Sequence, residues 1–254
     1  NGMSYDIKIP AINKEHQVPS NQPPWKDQAI SIVKKYKGLY GKQFQDASNL
    51  TGIPVWMLVG FASVEGMGAK NETLTNATPS IMQMNPSTAW QTMKDQLDKT
   101  SVTIGDFYPL YSMLPTIFVV KRPIPKNFWD SSNMNIRQNS AQSYLELKPE
   151  LTSIPLIRAK MLSDVYFAIL LGATHLAQLG AKSIKESGKF RLDHIIIKYN
   201  AGTGRFKSAV TNKNLITADT TTLVNQLNIP VSEAYIIKLM GKNGFLDVQK
   251  QGLA

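Results

Sequence analysis

Leu156 to Leu179 is the stretch that most limits what this chain can become. Met161, Leu162, Val165, Phe167, Ala168, Ile169, Leu171, Ala173, Leu176 and Leu179 recur at helical spacing and cover most faces of one helix with apolar groups. A helix apolar nearly all round is stable only when other elements cover it, so the rest of the chain must pack around this segment. Gly180 is its expected stop. A second apolar run, Val55-Trp56-Met57-Leu58-Val59-Gly60-Phe61-Ala62-Ser63-Val64, reads as another buried helix. Pro54 suits its first turn, where a missing N–H has no intrahelical partner to lose. Two such helices in one chain predict a mainly α fold.

The flanking segments extend that reading. From Trp25, the residues Ala29, Ile32, Val33, Tyr36, Leu39, Tyr40 and Phe44 lie near one helical face, interrupted at Gly38 and Gly41, and Ala47 to Leu50 add a short helical turn. Further helices are expected over 87–98, Arg191 to Tyr199, Asp219 to Leu227 and Ser232 to Met240. Residues 1–24 carry Pro10, Pro19, Pro23 and Pro24 and read as an N-terminal extended arm, leaving 25–254 as the folded domain. Within it, about residues 100–155 turn irregular, with Pro109, Pro115, Pro123, Pro125 and Pro149 around the β-like patch Thr116-Ile117-Phe118-Val119-Val120. This reads as an inserted irregular lobe with a small β element. At 254 residues and 43% hydrophobic content the chain has enough apolar material for an ordinary core, and no internal repeat divides it.

Charge and cysteine content narrow the chemistry. With 28 Lys+Arg against 18 Asp+Glu the net charge is +10, yet only five of the basic residues are Arg. Lysine acts as a solvated point charge, whereas base readout and bidentate phosphate recognition recruit Arg. The balance suits diffuse attraction to a polyanionic surface, or simple solubility, better than nucleic acid, which is not an expected partner. The chain has no cysteine. Disulfides, thiol catalysis and Cys-ligated metal sites are therefore excluded, and no cofactor motif appears. His16, His175 and His194 are too scattered for a metal site and read as surface or satisfied core residues. No apolar run approaches the ~18 residues of a membrane span. The opening Asn1 to Pro10 lacks the basic-then-apolar layout of a secretory signal, a layout that earlier trimming would also remove.

Glu65 closes the apolar run 55–64 and is followed by Gly66 and Gly68 and a polar stretch to Ser80, which places a carboxyl group at a helix end facing a loop-lined cleft. Ionising a carboxyl among such neighbours is costly, so the group either finds a partner or stays protonated near neutral pH, as a general acid must. Asp193 and Glu72 are the alternative carboxylates, as the base of an inverting hydrolase or, more simply, as a helix-face charge and a loop charge.

Four pieces then fall in order: Val64-Glu65-Gly66; Ile81-Met82-Gln83-Met84-Asn85-Pro86-Ser87-Thr88-Ala89; Tyr199-Asn200-Ala201-Gly202; and Tyr235-Ile236-Ile237-Lys238-Leu239. Their order and spacing resemble the lysozyme-like (SLT) domain of soluble lytic transglycosylases and their goose-type lysozyme relatives. Ala47 to Pro54 resembles that family's approach to its catalytic helix, and Val165 to Leu179 its central helix, so the likeness spans roughly residues 28–100 and 156–240. The resemblance implies a lysozyme-like helical fold and cleavage of the MurNAc-β-1,4-GlcNAc bond of peptidoglycan, with a 1,6-anhydro-MurNAc product. Glu65 matches the catalytic acid, which would later act as base. Gln83 matches a substrate-binding amide, Tyr199 and Asn200 match a Tyr-Asn pair near the acid and the bound acetamido group, and Tyr235 matches a last cleft-facing residue. Met82 and Met84 flank Gln83; they suit either a sugar face or the filling of core gaps.

Two departures stand out: Gly66 where the family usually has Ser, and Ser80 where it usually has Gly. The first removes one polar contact; the second constrains the turn that presents Gln83. The implied partner is the peptidoglycan glycan strand; for the 100–155 lobe the expectations are a longer glycan groove, a stem-peptide contact, or docking onto a larger assembly such as a phage tail or secretion apparatus. The expected place of action is the bacterial cell wall, from the periplasm or the exterior, including as a virion component. A hydrolase on the same scaffold, or a wall-binding protein without turnover, is the competing expectation.

Overall fold

Helices dominate the computed structural model, which describes residues 9–10, 12–67, 80–96, 116–123 and 144–254. In chain order these are β1 (Ile12–Glu15), α1 (Trp25–Thr51), α2 (Val55–Gly66), α3 (Pro86–Asp95), β2 (Phe118–Val120), β3 (Leu145–Leu147), α4 (Ile154–Ser163) and α5 (Val165–Ser187). There follow α6 (Leu192–Ala201), α7 (Thr203–Phe206), α8 (Thr220–Gln226), α9 (Pro230–Met240), β4 (Gly241–Lys242) and α10 (Phe245–Lys250). The fold is mainly α, as the apolar helix patterns require.

The central helix is α5, buried from Phe167 to Thr174 and again from Leu176 to Ala181. Two of its expected boundaries are corrected. The stretch from Leu156 is not continuous: Asp164 adopts φ −132°, ψ 99°, and its carboxylate accepts the Phe167 N–H at 3.1 Å, capping a new helix. Gly180 does not stop the helix either. A Cβ there would lie 2.2 Å from the Phe190 ring, so the glycine lets that ring lie against the helix, which runs on to Ser187 and ends at Gly188 with φ 76°.

Helix α1 packs along α5 and α2. It runs through Gly38 and Gly41, and the expected interruption survives only as a kink at Tyr40 (φ −134°, ψ 22°). The arm is tied to the domain through β1, which pairs in parallel with β4, and through His16, whose ring meets Trp25 edge-on at 4.7 Å. Of the expected lobe, residues 116–123 and 144–155 are described. There β2 and β3 pair antiparallel, Phe118 opposite Leu147 and Val120 opposite Leu145, with Phe118 and Leu145 turned into the core. The remainder of the lobe lies outside the described residues, as does Glu72.

Asp193 is not a helix-face charge. It is 1% exposed, its two oxygens accept from Arg191 Nε and Nη2 at 3.0 and 2.8 Å, and Thr220 donates to it at 2.9 Å. Arg191 also donates to the carbonyls of Ile216 and Ala218, pinning the segment before α8 to the start of α6. Nor are the core histidines satisfied. Both ring nitrogens of His194 and Nδ1 of His175 are shut off from solvent, without a hydrogen-bond partner among the described residues. Burial depresses both pKa values to about 4, so the imidazoles are neutral at neutral pH.

Candidate active site

Helix α2 is buried from Met57 to Ser63 and emerges only in its last turn, where Val64, Glu65 and Gly66 are half-buried. The chain leaves it through Met67, which takes a left-handed conformation (φ 46°) and donates its N–H to the Ser63 carbonyl at 2.9 Å. That position usually falls to glycine, and a side chain there costs about 1 kcal/mol. The abrupt exit leaves Glu65 at the rim of the helix bundle, its carboxyl largely withdrawn from water. Burial raises its pKa from 4.5 to about 7; the Tyr235 hydroxyl acts in the opposite sense by favouring the ionised form. A large fraction of Glu65 is thus protonated at neutral pH.

The loop carrying Gln83 is fixed from three sides. Its own turn is closed by the Gln83 N–H donating to the Ser80 carbonyl at 2.7 Å, with Gln83 at φ 47°. The wholly buried Met82 packs onto α5 at Gly172, where an added Cβ would lie 2.7 Å from Met82 Cγ. Asn85 then caps α3, its Oδ1 accepting the Ser87 N–H at 2.9 Å, with Pro86 in the first turn. Presented this way, the Gln83 side chain donates from Nε2 to the main-chain carbonyl of Glu65. That carbonyl belongs to the last turn of α2, where no intrahelical N–H is in reach.

Tyr199, in the last turn of α6, donates its hydroxyl to the Met82 carbonyl at 2.5 Å. Its ring stands edge-on to Phe61 with centroids 5.3 Å apart and lies 5.5 Å from His175. Tyr235, on α9, is 4% exposed, and its ring centroid lies 5.8 Å from that of Phe61. Its hydroxyl is closed off from solvent and completes no hydrogen bond of ordinary geometry, yet it lies near enough to the Glu65 carboxylate to influence its protonation. Burial, and then the Glu65 charge, push both phenols well above 10, so they remain neutral donors.

Glu65, Gln83, Tyr199 and Tyr235 therefore share one site. The other two expected residues sit differently. Met84 is 3% exposed and part of the core, away from any open sugar-facing position. Asn200 accepts the Ser232 hydroxyl at its Oδ1, 2.7 Å away, joining the end of α6 to the start of α9. Phe61 and His175 were missed as neighbours of the site. Phe61 stands four residues before Glu65 and so on the same helix face, a spacing that would have flagged it; His175 comes alongside through the packing of α5, and nothing in its local sequence marks it.

Chemically, the arrangement offers a carboxyl group able to give and retake a proton near pH 7, backed by two neutral phenols and steadied at its main chain by an amide. Among the described residues no three His, Asp or Glu side chains cluster as metal ligands, and no helix is long and apolar enough to cross a membrane. Comparison with protein-family models, with curated proteins and with solved structures finds no match for this chain.

Proposed function

We propose that this chain is a peptidoglycan lytic transglycosylase with a lysozyme-like (SLT) domain, cleaving the MurNAc-β-1,4-GlcNAc bond. The observation that carries the reading is the Glu65 carboxyl, raised to a pKa of about 7 at the end of a buried helix, with Gln83, Tyr199 and Tyr235 gathered around it. A sugar alkoxide is a poor leaving group until its bridging oxygen is protonated, and a neutral carboxyl supplies that proton.

In the proposed sequence Glu65 protonates the bridging oxygen, and the C1–O bond of MurNAc breaks as the substrate's own acetamido oxygen bonds to C1. GlcNAc departs as an alcohol. Glu65, now a carboxylate favoured by the Tyr235 hydroxyl, takes the proton from the MurNAc 6-hydroxyl as that oxygen attacks C1 and expels the acetamido oxygen. The product is 1,6-anhydro-MurNAc, Glu65 is again protonated, and no water is consumed. Because the substrate supplies the nucleophile, no second enzyme carboxylate is required. The burial of Asp193 against Arg191 is consistent with this, since that carboxylate is unavailable as a base.

The same reading makes glycan strands the partner and the bacterial cell wall the place of action. Mass spectrometry of the muropeptides released from purified sacculi, with Glu65→Gln as the control, tests it.

A further inference from the structure

Gly172, His175 and Gln178 form one stripe of α5, and the stripe faces the segment that presents Gln83. At its first position Met82 covers the helix; at its third, Gln178 Nε2 donates to the Thr92 carbonyl of α3 at 3.1 Å. Gly172 and Gln178 are buried, while His175 between them is only half-buried. The His175 ring lies 5.5 Å from that of Tyr199, and the row continues from Tyr199 to Phe61 at 5.3 Å and from Phe61 to Tyr235 at 5.8 Å. Phe61 and Tyr235 close one end of this row. The other end, Tyr199 and His175, is open in part.

That opening is a recess rather than a convex surface. An imidazole on a convex surface keeps its ordinary pKa, whereas burial, with Lys182 acting in the same sense, holds that of His175 at about 4. Glu65 shows the same pairing of partial exposure with strong desolvation. Tyr199 links the two groups, since the Glu65 charge also bears on its phenol.

A second observation fixes what the ring offers. His175 Nδ1 is shut off from solvent with no hydrogen-bond partner among the described residues, whereas Nε2 is not closed off in this way. A neutral imidazole carries one N–H and one lone pair. A buried N–H without an acceptor is rarer than a buried acceptor without a donor, which puts the proton on Nε2. His175 thus turns a single donor toward whatever lies over Tyr199.

We propose that His175 is a specificity-determining residue of the glycan cleft, its Nε2–H donating to the acetamido carbonyl of an N-acetylated sugar. This rests on the glycan-cleaving reading and adds a contact that Glu65, Gln83, Tyr199 and Tyr235 do not supply. A carbonyl only accepts, so one donor satisfies it. A hydroxyl in its place would bring a proton of its own, and neither the buried Nδ1 nor the Tyr199 hydroxyl, which is already donating to Met82, is open to pair it.

Isothermal titration of the full chain carrying Glu65→Gln, which blocks turnover, tests the contact with the β-1,4 pentamers of N-acetylglucosamine and of glucose. His175→Phe keeps a ring and removes the donor. Added to Glu65→Gln, it should weaken binding of the N-acetylated pentamer about three- to tenfold and change that of the glucose pentamer by no more than about twofold. His175→Gln, which retains an N–H, should recover part of the loss. Since His175→Phe also removes an unpaired buried nitrogen, its melting temperature should not fall. A reading that needs no variant is the imidazole ¹⁵N spectrum: Nε2 protonated in the free protein, and shifted by the N-acetylated pentamer alone. Unchanged affinity in His175→Phe, equal weakening for both pentamers, no binding of either, or a proton on Nδ1 overturns the proposal. Anhydro products from the wild type together with unchanged binding by His175→Phe refute this contact alone. The expected binding without any cleavage by the wild type keeps the contact and refutes the transglycosylase reading.

Discussion

The side-chain amide of Gln83 donates to the main-chain carbonyl of Glu65, joining a strained loop to the open end of a buried helix. The contact fixes where the helix stops rather than touching the carboxyl itself. Gln83→Ala removes it and leaves a helix-terminal carbonyl unpaired. The expected cost is about 1–2 kcal/mol in stability. A misplaced acid should lower kcat about tenfold or more with less change in KM, read by steady-state turnover of sacculi.

Burial of Glu65 sets the alkaline limit of the proposed reaction, and Tyr235 moderates it. Its hydroxyl favours ionised Glu65 and so opposes the rise that burial imposes. Activity requires the protonated acid and should fall as pH climbs through about 7. Tyr235→Phe should move that fall to higher pH. Since the hydroxyl is buried without an ordinary hydrogen bond, its loss should change stability by no more than about 1 kcal/mol. A pH–rate profile of the two proteins reads both the sign and the size of the displacement.

Glu65 is expected to weaken the fold near neutral pH. Its folded pKa of about 7 stands above the unfolded 4.5, so the folded state binds more protons in that interval. The associated stability is present below pH 4.5 and lost as pH rises through 7, by roughly 3 kcal/mol at most. Glu65→Gln escapes this loss. Its melting temperature should rise relative to wild type as pH goes from 4.5 to 8. His175 and His194, with folded values of about 4 against 6.5, act oppositely: their contribution is lost as pH falls from 6.5 to 4. They are common to both proteins and cancel in the comparison.

Gly172 holds the Met82 loop against the central helix. An alanine methyl would meet Met82 at 2.7–3.0 Å and push the loop outward. Gly172→Ala should cost about 1–3 kcal/mol and reduce turnover through Gln83. Adding Met82→Ala, which vacates the space, should recover part of the stability. A non-additive double-mutant cycle by thermal unfolding reads the coupling.

Much of the fold was legible in the sequence because helical periodicity reports burial directly. The apolar runs at 55–64 and 165–179 lie in buried helices, and Trp25 to Phe44 belongs to one helix despite two glycines. What remained hidden depends on partners distant in sequence or on caps. Gly180 looked like a stop because its reason, the Phe190 ring, sits beyond the helix. The break at Asp164 depends on one capping hydrogen bond. Asp193 looked solvated because nothing local reveals its bidentate pairing with Arg191. At the site, the positions of Glu65, Gln83, Tyr199 and Tyr235 followed from motif order. The burial of Met84 and the Asn200–Ser232 hydrogen bond did not, since each is decided by what α5, α6 and α9 bring alongside.

The most direct test of the proposed proton-shuttling role of Glu65 is mass spectrometry of muropeptides released from purified sacculi by the wild-type protein and by Glu65→Gln. The expected outcome is products ending in 1,6-anhydro-MurNAc, one water lighter than reducing ends, from the wild type and none from the variant. Equal release by both proteins contradicts the account. Reducing MurNAc ends from the wild type would keep the acid but refute the transglycosylase step.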